Sequence, residues 1–162
     1  ASSFAFMTQH PSPELESLHR YRPALRFSDI DAMGIVNNAV FFTYFEESRV
    51  HFFSELIRNQ WDWNSAGVVV ARHEISYRHP IKYHSQVEIF TWADRLGGKS
   101  LDMAYEVWIA DEGRGALLAA EARSTLVAYN HLSGKSCAVP QEWVQPLQAI
   151  GLGRPRLPHD AG

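Results

Sequence analysis

"RFSDIDAMGIVNNAVFFTYFEESR", residues 26–49, is the stretch on which the fold turns. Asp29 and Asp31 stand two apart, Gly34 follows, and the pair Asn37–Asn38 leads at once into an aromatic run. Gly34 is the natural turn residue, because glycine enters left-handed backbone without a steric penalty. Asn37 or Asn38 suits a helix cap, and residues 38–59 read as one long helix. At roughly 100° per residue its apolar arc collects Phe41, Phe42, Phe45, Val50, Phe52, Phe53, Leu56 and Ile57. So wide an arc predicts burial on more than one side. Glu46 and Arg49 interrupt it three residues apart, and an internal ion pair is expected of them. Upstream, "RYRPALRFSD" (20–29) reads as a first strand, with Pro23 marking an edge or a strand start.

Beyond the connector "WDWNSAG" the period changes from helical to alternating. Four strand candidates follow: "VVVARHEISYR" (68–78), "QVEIFTWADRL" (86–96), "SLDMAYEVWIA" (100–110) and "ALLAAEARSTLVAYN" (116–130). In the last, Leu118, Ala120, Ala122, Ser124, Leu126 and Ala128 share a small, mostly apolar face that suits a packed helix. In the third, Met103, Tyr105, Val107 and Ile109 oppose Trp108, so both faces carry apolar content. One face is expected to meet the helix and the other a second subunit. A turn and a short helix after Pro140 close the domain. The expected organisation is an irregular segment 1–19, one α+β domain over 20–150, and an extended or disordered tail 151–162.

Composition narrows the function. The chain has 162 residues, enough for one domain with a sizeable core. Its formal net charge of −3 leaves no basic footprint for nucleic acid. No stretch approaches the ~20 apolar residues of a membrane span, and the N-terminal residues do not read as a signal peptide. Cys137 is the single cysteine, which excludes an intramolecular disulfide and favours a reducing, cytoplasmic setting. The eight histidines show no HExxH or similar spacing, so no metal and no cofactor is expected.

The stretch 26–49 resembles the hotdog-fold acyl-CoA thioesterases, in particular the 4-hydroxybenzoyl-CoA thioesterase-like group. "VVVARHEISYRHPIKYHSQVEI", "GGKSLDMAYEVW", "AAEARSTLVAYN" and "SGKSCAVP" extend the likeness over about residues 20–145. The resemblance implies a five-stranded antiparallel sheet wrapped round a long central helix. It implies homodimers joined edge to edge, often paired again into tetramers, with active sites at the dimer interface. The implied reaction is hydrolysis of an acyl thioester of coenzyme A, or sometimes of acyl carrier protein. On this pattern Asp31 falls on the catalytic carboxylate and the amide near Asn38 on the donor to the thioester carbonyl. The backbone N–H of Gly67 or Val68, at the start of the second strand, is a further donor candidate. Ile35 stands where some relatives carry a histidine.

The chemistry asks for these residue types. A carboxylate attacks the thioester or deprotonates water, and donors must meet the charge that grows on oxygen. A helix start supplies bare N–H groups and a favourable dipole. Gly34, Ile35 and Asn37 shape the turn around Asp31, while Asn37 and Asn38 also suit capping. Phe41 and Phe45 line either the core or an acyl slot, and Glu46 is a candidate near the substrate channel. Arg72, Arg78, Lys99 and Ser100 are candidates for the phosphates of coenzyme A, with "GGKS" (97–100) the most plausible local binder. Asp29 reads as structural support, and His73 and His79 as ordinary strand and loop histidines. The competing readings are an acyl carrier protein thioesterase of the same fold and a non-catalytic acyl-thioester-binding protein. A hotdog dehydratase is a further class, disfavoured because no histidine lies close to Asp31.

Overall fold

A computed structural model describes residues 19–57, 61–113 and 115–160. All of the irregular segment expected over 1–19 except His19, which is in a strand, and the expected helix end at 58–59 lie outside them. The strands are β1 (His19–Tyr21), β2 (Gly67–Tyr77), β3 (Val87–Leu96), β4 (Ser100–Asp111), β5 (Gly115–Asn130) and β6 (Lys135–Ser136). The helices are α1 (Val40–Ile57) and α2 (Gln141–Ile150). All strand pairs are antiparallel, in the order β1-β3-β4-β5-β2, and the two-residue β6 adds to β5. The sheet therefore has six strands, against the five expected from sequence.

The first strand is shorter than its pattern suggested. It ends at Tyr21, and after Pro23 the chain enters a single 3-10 turn, Phe27–Asp29. Proline offers no N–H to a ladder. The Asp29 carboxylate instead accepts from the Arg26 N–H at 2.9 Å and closes that turn.

Helix α1 buries Phe41, Tyr44, Phe45, Ser48, Arg49, Phe52 and Phe53. These recur at intervals of three and four, one continuous stripe laid on the sheet. The expectation of burial on several sides does not hold for the single chain: Phe42 and Val50 are 41% and 61% exposed. Polar members of the stripe find partners in the sheet. Ser48 Oγ meets Thr91 Oγ1 at 2.6 Å, and Arg49 donates to the Tyr105 hydroxyl at 3.3 Å. Arg49 is thus buried on a strand residue, while Glu46 is exposed, and no ion pair joins them among the described residues.

On the sheet, Met103, Tyr105, Val107 and Ile109 face this helix. Ala120, Ala122, Leu126 and Ala128 join them, with Ser124 buried in the same row. Leu118 leaves its expected row. The register steps from Val107↔Ala120 to Trp108↔Leu118, so Ala119 bulges and alternation inverts. Leu117 then packs on the helix-side core in place of Leu118.

The opposite face carries a second small core of Phe90, Trp92, Ala104 and Leu157, with Trp108 against it. This face was expected to await a second subunit, but part of it is covered by the chain's own C-terminal segment. Residues 151–160 are not a free tail. Gly153 N–H donates to the Ala93 carbonyl at 2.9 Å, Leu157 is buried, and Arg154 pairs with both Glu106 and Asp160. Among the described residues, no helix is long and apolar enough to cross a membrane.

Candidate active site

The two aspartates of the opening turn have different surroundings. Asp29 is buried at 2% exposure and accepts from the Arg26 N–H, the Arg26 guanidinium at 3.1 Å and the Tyr44 hydroxyl at 2.8 Å. Burial alone would raise its pKa, but the donors from Arg26 and Tyr44 outweigh that and hold it below the ordinary value. Its carbonyl also takes the Asn37 N–H at 2.8 Å. Asp29 thus ties the turn to α1.

Asp31 sits at the rim. One carboxylate oxygen accepts the Met33 N–H at 2.8 Å, and the other takes no hydrogen bond among the described residues. Gly34, at φ +77°, donates to the Asp31 carbonyl at 3.0 Å, and Asp31 N–H donates to the Ile35 carbonyl at 2.9 Å. The left-handed glycine makes this tight reversal possible, and the reversal returns the chain to the start of α1. There the Asn37 side chain accepts from the Ala39 N–H at 2.9 Å. The Asn38 N–H has no acceptor among the described residues, and its carbonyl takes the Tyr77 hydroxyl at 2.8 Å.

A cavity of about 390 Å³ opens at this point. Asp31, Ile35, Asn38, Phe41, Tyr77 and Arg78 are among its walls. An acidic residue, the start of a helix and apolar side chains therefore line one space. A second cavity, of about 530 Å³, lies along the later turns of α1, with Glu46, Arg49, Phe53, Trp63, Gly67, Val68 and His131 on its walls. From Phe41 to Phe53 the helix rises about 18 Å at ~1.5 Å per residue. The residues singled out from sequence therefore split into two groups, on successive stretches of α1 and at opposite ends of β2. Asp31, Ile35, Asn38, Phe41 and Arg78 form one; Glu46, Gly67 and Val68 form the other.

The remaining candidates line neither cavity. Gly34 and Asn37 serve the turn itself. Phe45 is fully buried against Tyr105, ring centroids 4.6 Å apart, so it belongs to the core and to the wall of neither cavity. Arg72 on β2 pairs with Glu74. Lys99 and Ser100 lie at the β3–β4 turn, where Ser100 Oγ accepts from Arg95. Ser100 pairs with Val127, which pairs with Val69, so this turn is at the Gly67 end of β2. Arg78, at the other end, donates to Glu121 at 2.6 Å.

Several lining residues carried no usable signal in the sequence. Tyr77, Pro80 and Ile81 reach the first cavity, and Trp63 and His131 the second, across separations that local periodicity does not register. Behind α1, His73 Nδ1 lies 2.7 Å from Ser124 Oγ, beside Phe42. Burial, with a smaller contribution from Arg49, lowers the His73 pKa, so this histidine is neutral at neutral pH.

Known proteins share this fold. A thioesterase of Thermus thermophilus, solved in complex with coenzyme A and Zn, is 31% identical, with a TM-score of 0.69 over 83% of this chain and 93% of its own. A mutant 4-hydroxybenzoyl CoA thioesterase complexed with 4-hydroxybenzoyl CoA has a TM-score of 0.73 over 81% of this chain and 99% of its own, but at 14% identity that likeness is one of fold. The uncharacterized protein YsmA of Bacillus subtilis is 31% identical over 83 residues, 51% of this chain and 55% of its own, so the match spans about half of that relative. The profile of the thioesterase-like superfamily runs from residue 25, just ahead of the Asp29 turn, through the sheet to residue 147 in α2, and the chain belongs to that superfamily, on a hotdog fold.

Proposed function

We propose that this protein hydrolyses acyl-CoA thioesters, with Asp31 as general base or nucleophile. The observation that carries the reading is that Asp31, with one carboxylate oxygen free of hydrogen bonds among the described residues, and Asn38, whose N–H has no acceptor among them, line the same cavity at the start of α1. A thioester carbonyl seated there points its oxygen at the helix start, where N–H groups and the helix dipole favour developing negative charge. Asp31 takes a proton from water as the C–O bond forms, the C–S bond breaks, and the thiolate leaves and is protonated. In the covalent variant the carboxylate attacks first and water releases the acid. Ile35, Val36, Phe41 and Ile81 give the wall an apolar character suited to a hydrophobic acyl group.

The second cavity enters through assembly. β2 is an edge strand of the sheet, with Gly67 at one end and Tyr77 at the other. An unpaired edge is a template for another strand. If two copies pair β2 with β2 antiparallel about a two-fold axis, the Tyr77 end of one meets the Gly67 end of its partner. The Asp31 cavity of one protomer then adjoins the Gly67–Val68 cavity of the other. The same pairing brings Arg78 of one protomer toward Lys99 and Ser100 of its partner, at one mouth suited to nucleotide phosphates. The dimer suffices to assemble this site, and pairing of dimers into tetramers adds nothing that the chemistry needs. Cys137 is unpaired, in keeping with a cytoplasmic setting.

The test is turnover of a panel of acyl-CoAs, of varied chain length and with aromatic acyl groups, by the protein and by Asp31→Asn. The expected result is hydrolysis by the protein and its loss in the variant, with folding intact. Equal turnover by Asp31→Asn would remove Asp31 from the mechanism. Activity only on acyl carrier protein thioesters would change the carrier but not the chemistry.

A further inference from the structure

At the sheet edge opposite β2, three side chains meet that the proposed hydrolysis does not use. His19 comes from β1, and His51 and Glu55 from one face of α1, four residues apart. One ligand atom from each lies within 4.8 Å of the other two, and His19 Nε2 is already 3.8 Å from Glu55. His19 is 5% exposed, and neither of its ring nitrogens has a hydrogen-bond partner among the described residues. Buried polar atoms without partners are uncommon, and an ion is one of the established reasons for them. The ring is held edge-on to Phe52, at 5.5 Å, so the buried ligand is the fixed one.

We propose that His19, His51 and Glu55 bind a zinc-class divalent transition ion. Two imidazoles and one carboxylate are a known three-ligand set for Zn²⁺, leaving a fourth position to water. Zinc–ligand bonds of ~2.0–2.2 Å place tetrahedral donors about 3.4 Å apart. Closing from the present spacing requires only that the exposed His51 and Glu55 side chains turn toward His19. Glu55 on the exposed side leaves the site a path from solvent. The ion fastens the three-residue edge strand β1 to the later turns of α1. Because β1 and β2 are opposite edges of the sheet, it stands apart from the Asp31 cavity and acts as a structural clip. The spacing rules of the sequence did not reveal this set, since His19 lies 32 positions before His51, on another element.

The test uses the full chain stripped with EDTA and titrated with Zn²⁺ by calorimetry, with melting temperature followed in parallel. The expected result is one strong site per chain and a melting temperature that rises with Zn²⁺. His51→Ala and Glu55→Gln, both at exposed positions, should each weaken that site at least tenfold and abolish the thermal rise. His84→Ala, an exposed histidine outside the set, should change neither. Absence of a strong site, or a site unaltered in both His51→Ala and Glu55→Gln, overturns the proposal. Acyl-CoA turnover read on the same samples is expected to be indifferent to Zn²⁺, so failure of the clip and failure of the hydrolase reading are separate results.

Discussion

Asp29 and Asp31 are two residues apart and predict opposite phenotypes. Asp29 receives three donors in a buried place, and removing it leaves the Tyr44 hydroxyl and the Arg26 groups without their acceptor. Asp29→Ala should therefore destabilise the fold by about 3 kcal/mol, read from urea unfolding. Asp31→Asn keeps an oxygen for the Met33 N–H and should leave stability within about 0.5 kcal/mol of the parent, while turnover falls ~10²–10⁴-fold. Gly67 offers a third case. A Cβ there would come 2.7 Å from His131 Nε2 and 3.0 Å from the Trp63 carbonyl oxygen. Gly67→Ala should cost about 1 kcal/mol, and His131→Ala in the same chain should recover part of it, because the side chain can yield and the carbonyl cannot. The sequence distinguished the two aspartates only through the resemblance. The physical distinction rests on Tyr44, fifteen residues on, and a hydroxyl aimed back across a turn has no local signature.

Among the elements, periodicity located α1 and β5 well by their buried faces, while β3 and β4, buried on both faces, and β2, mostly exposed in the single chain, were legible as β-branched and apolar runs bounded by turn residues. It failed where a single residue inverts the pattern. The bulge at Ala119 moves Leu118 off the helix side, and a chain of small residues gives no warning of that step. It failed again for the C-terminal segment, whose polar composition conceals one buried apolar residue, Leu157, and one bidentate latch. Leu157→Ala should cost about 2 kcal/mol in urea unfolding. The latch also has a pH signature. The Arg154 guanidinium, with the Leu157 N–H, lowers the Asp160 pKa from its ordinary 3.8 to about 2. A carboxyl so depressed stabilises the docked segment fully above about pH 4, and the contribution is lost as pH falls through about 2. His159 stacks on Trp108 at 4.5 Å, so the Trp108 indole resonance reports release. Between pH 4 and 2 that resonance should move in the parent protein, and Asp160→Asn should remove the step.

For the whole molecule, the decisive feature is that the candidate site residues separate into two cavities along α1, one at Phe41 and the other beginning at Glu46, ~7.5 Å further on, and running past Phe53. Sequence named members of both without revealing the separation, because distance along a helix becomes distance between half-sites only once the sheet edge is known. If β2 pairs with β2 across a two-fold axis, each active site draws Asp31 from one chain and the second cavity from the other. Two inactive variants should then complement each other. Asp31→Asn disables the first half, and Glu46→Trp, at an exposed helical position, fills the second. Mixed and reassembled at equal amounts, half of the dimers are mixed, and each of those holds one site with both halves intact. Activity should return to about a quarter of the parent value, with the protein running as a dimer by light scattering. A site contained within one chain yields no recovery in the same mixture, so the measurement separates the two architectures without any assumption about the acyl group.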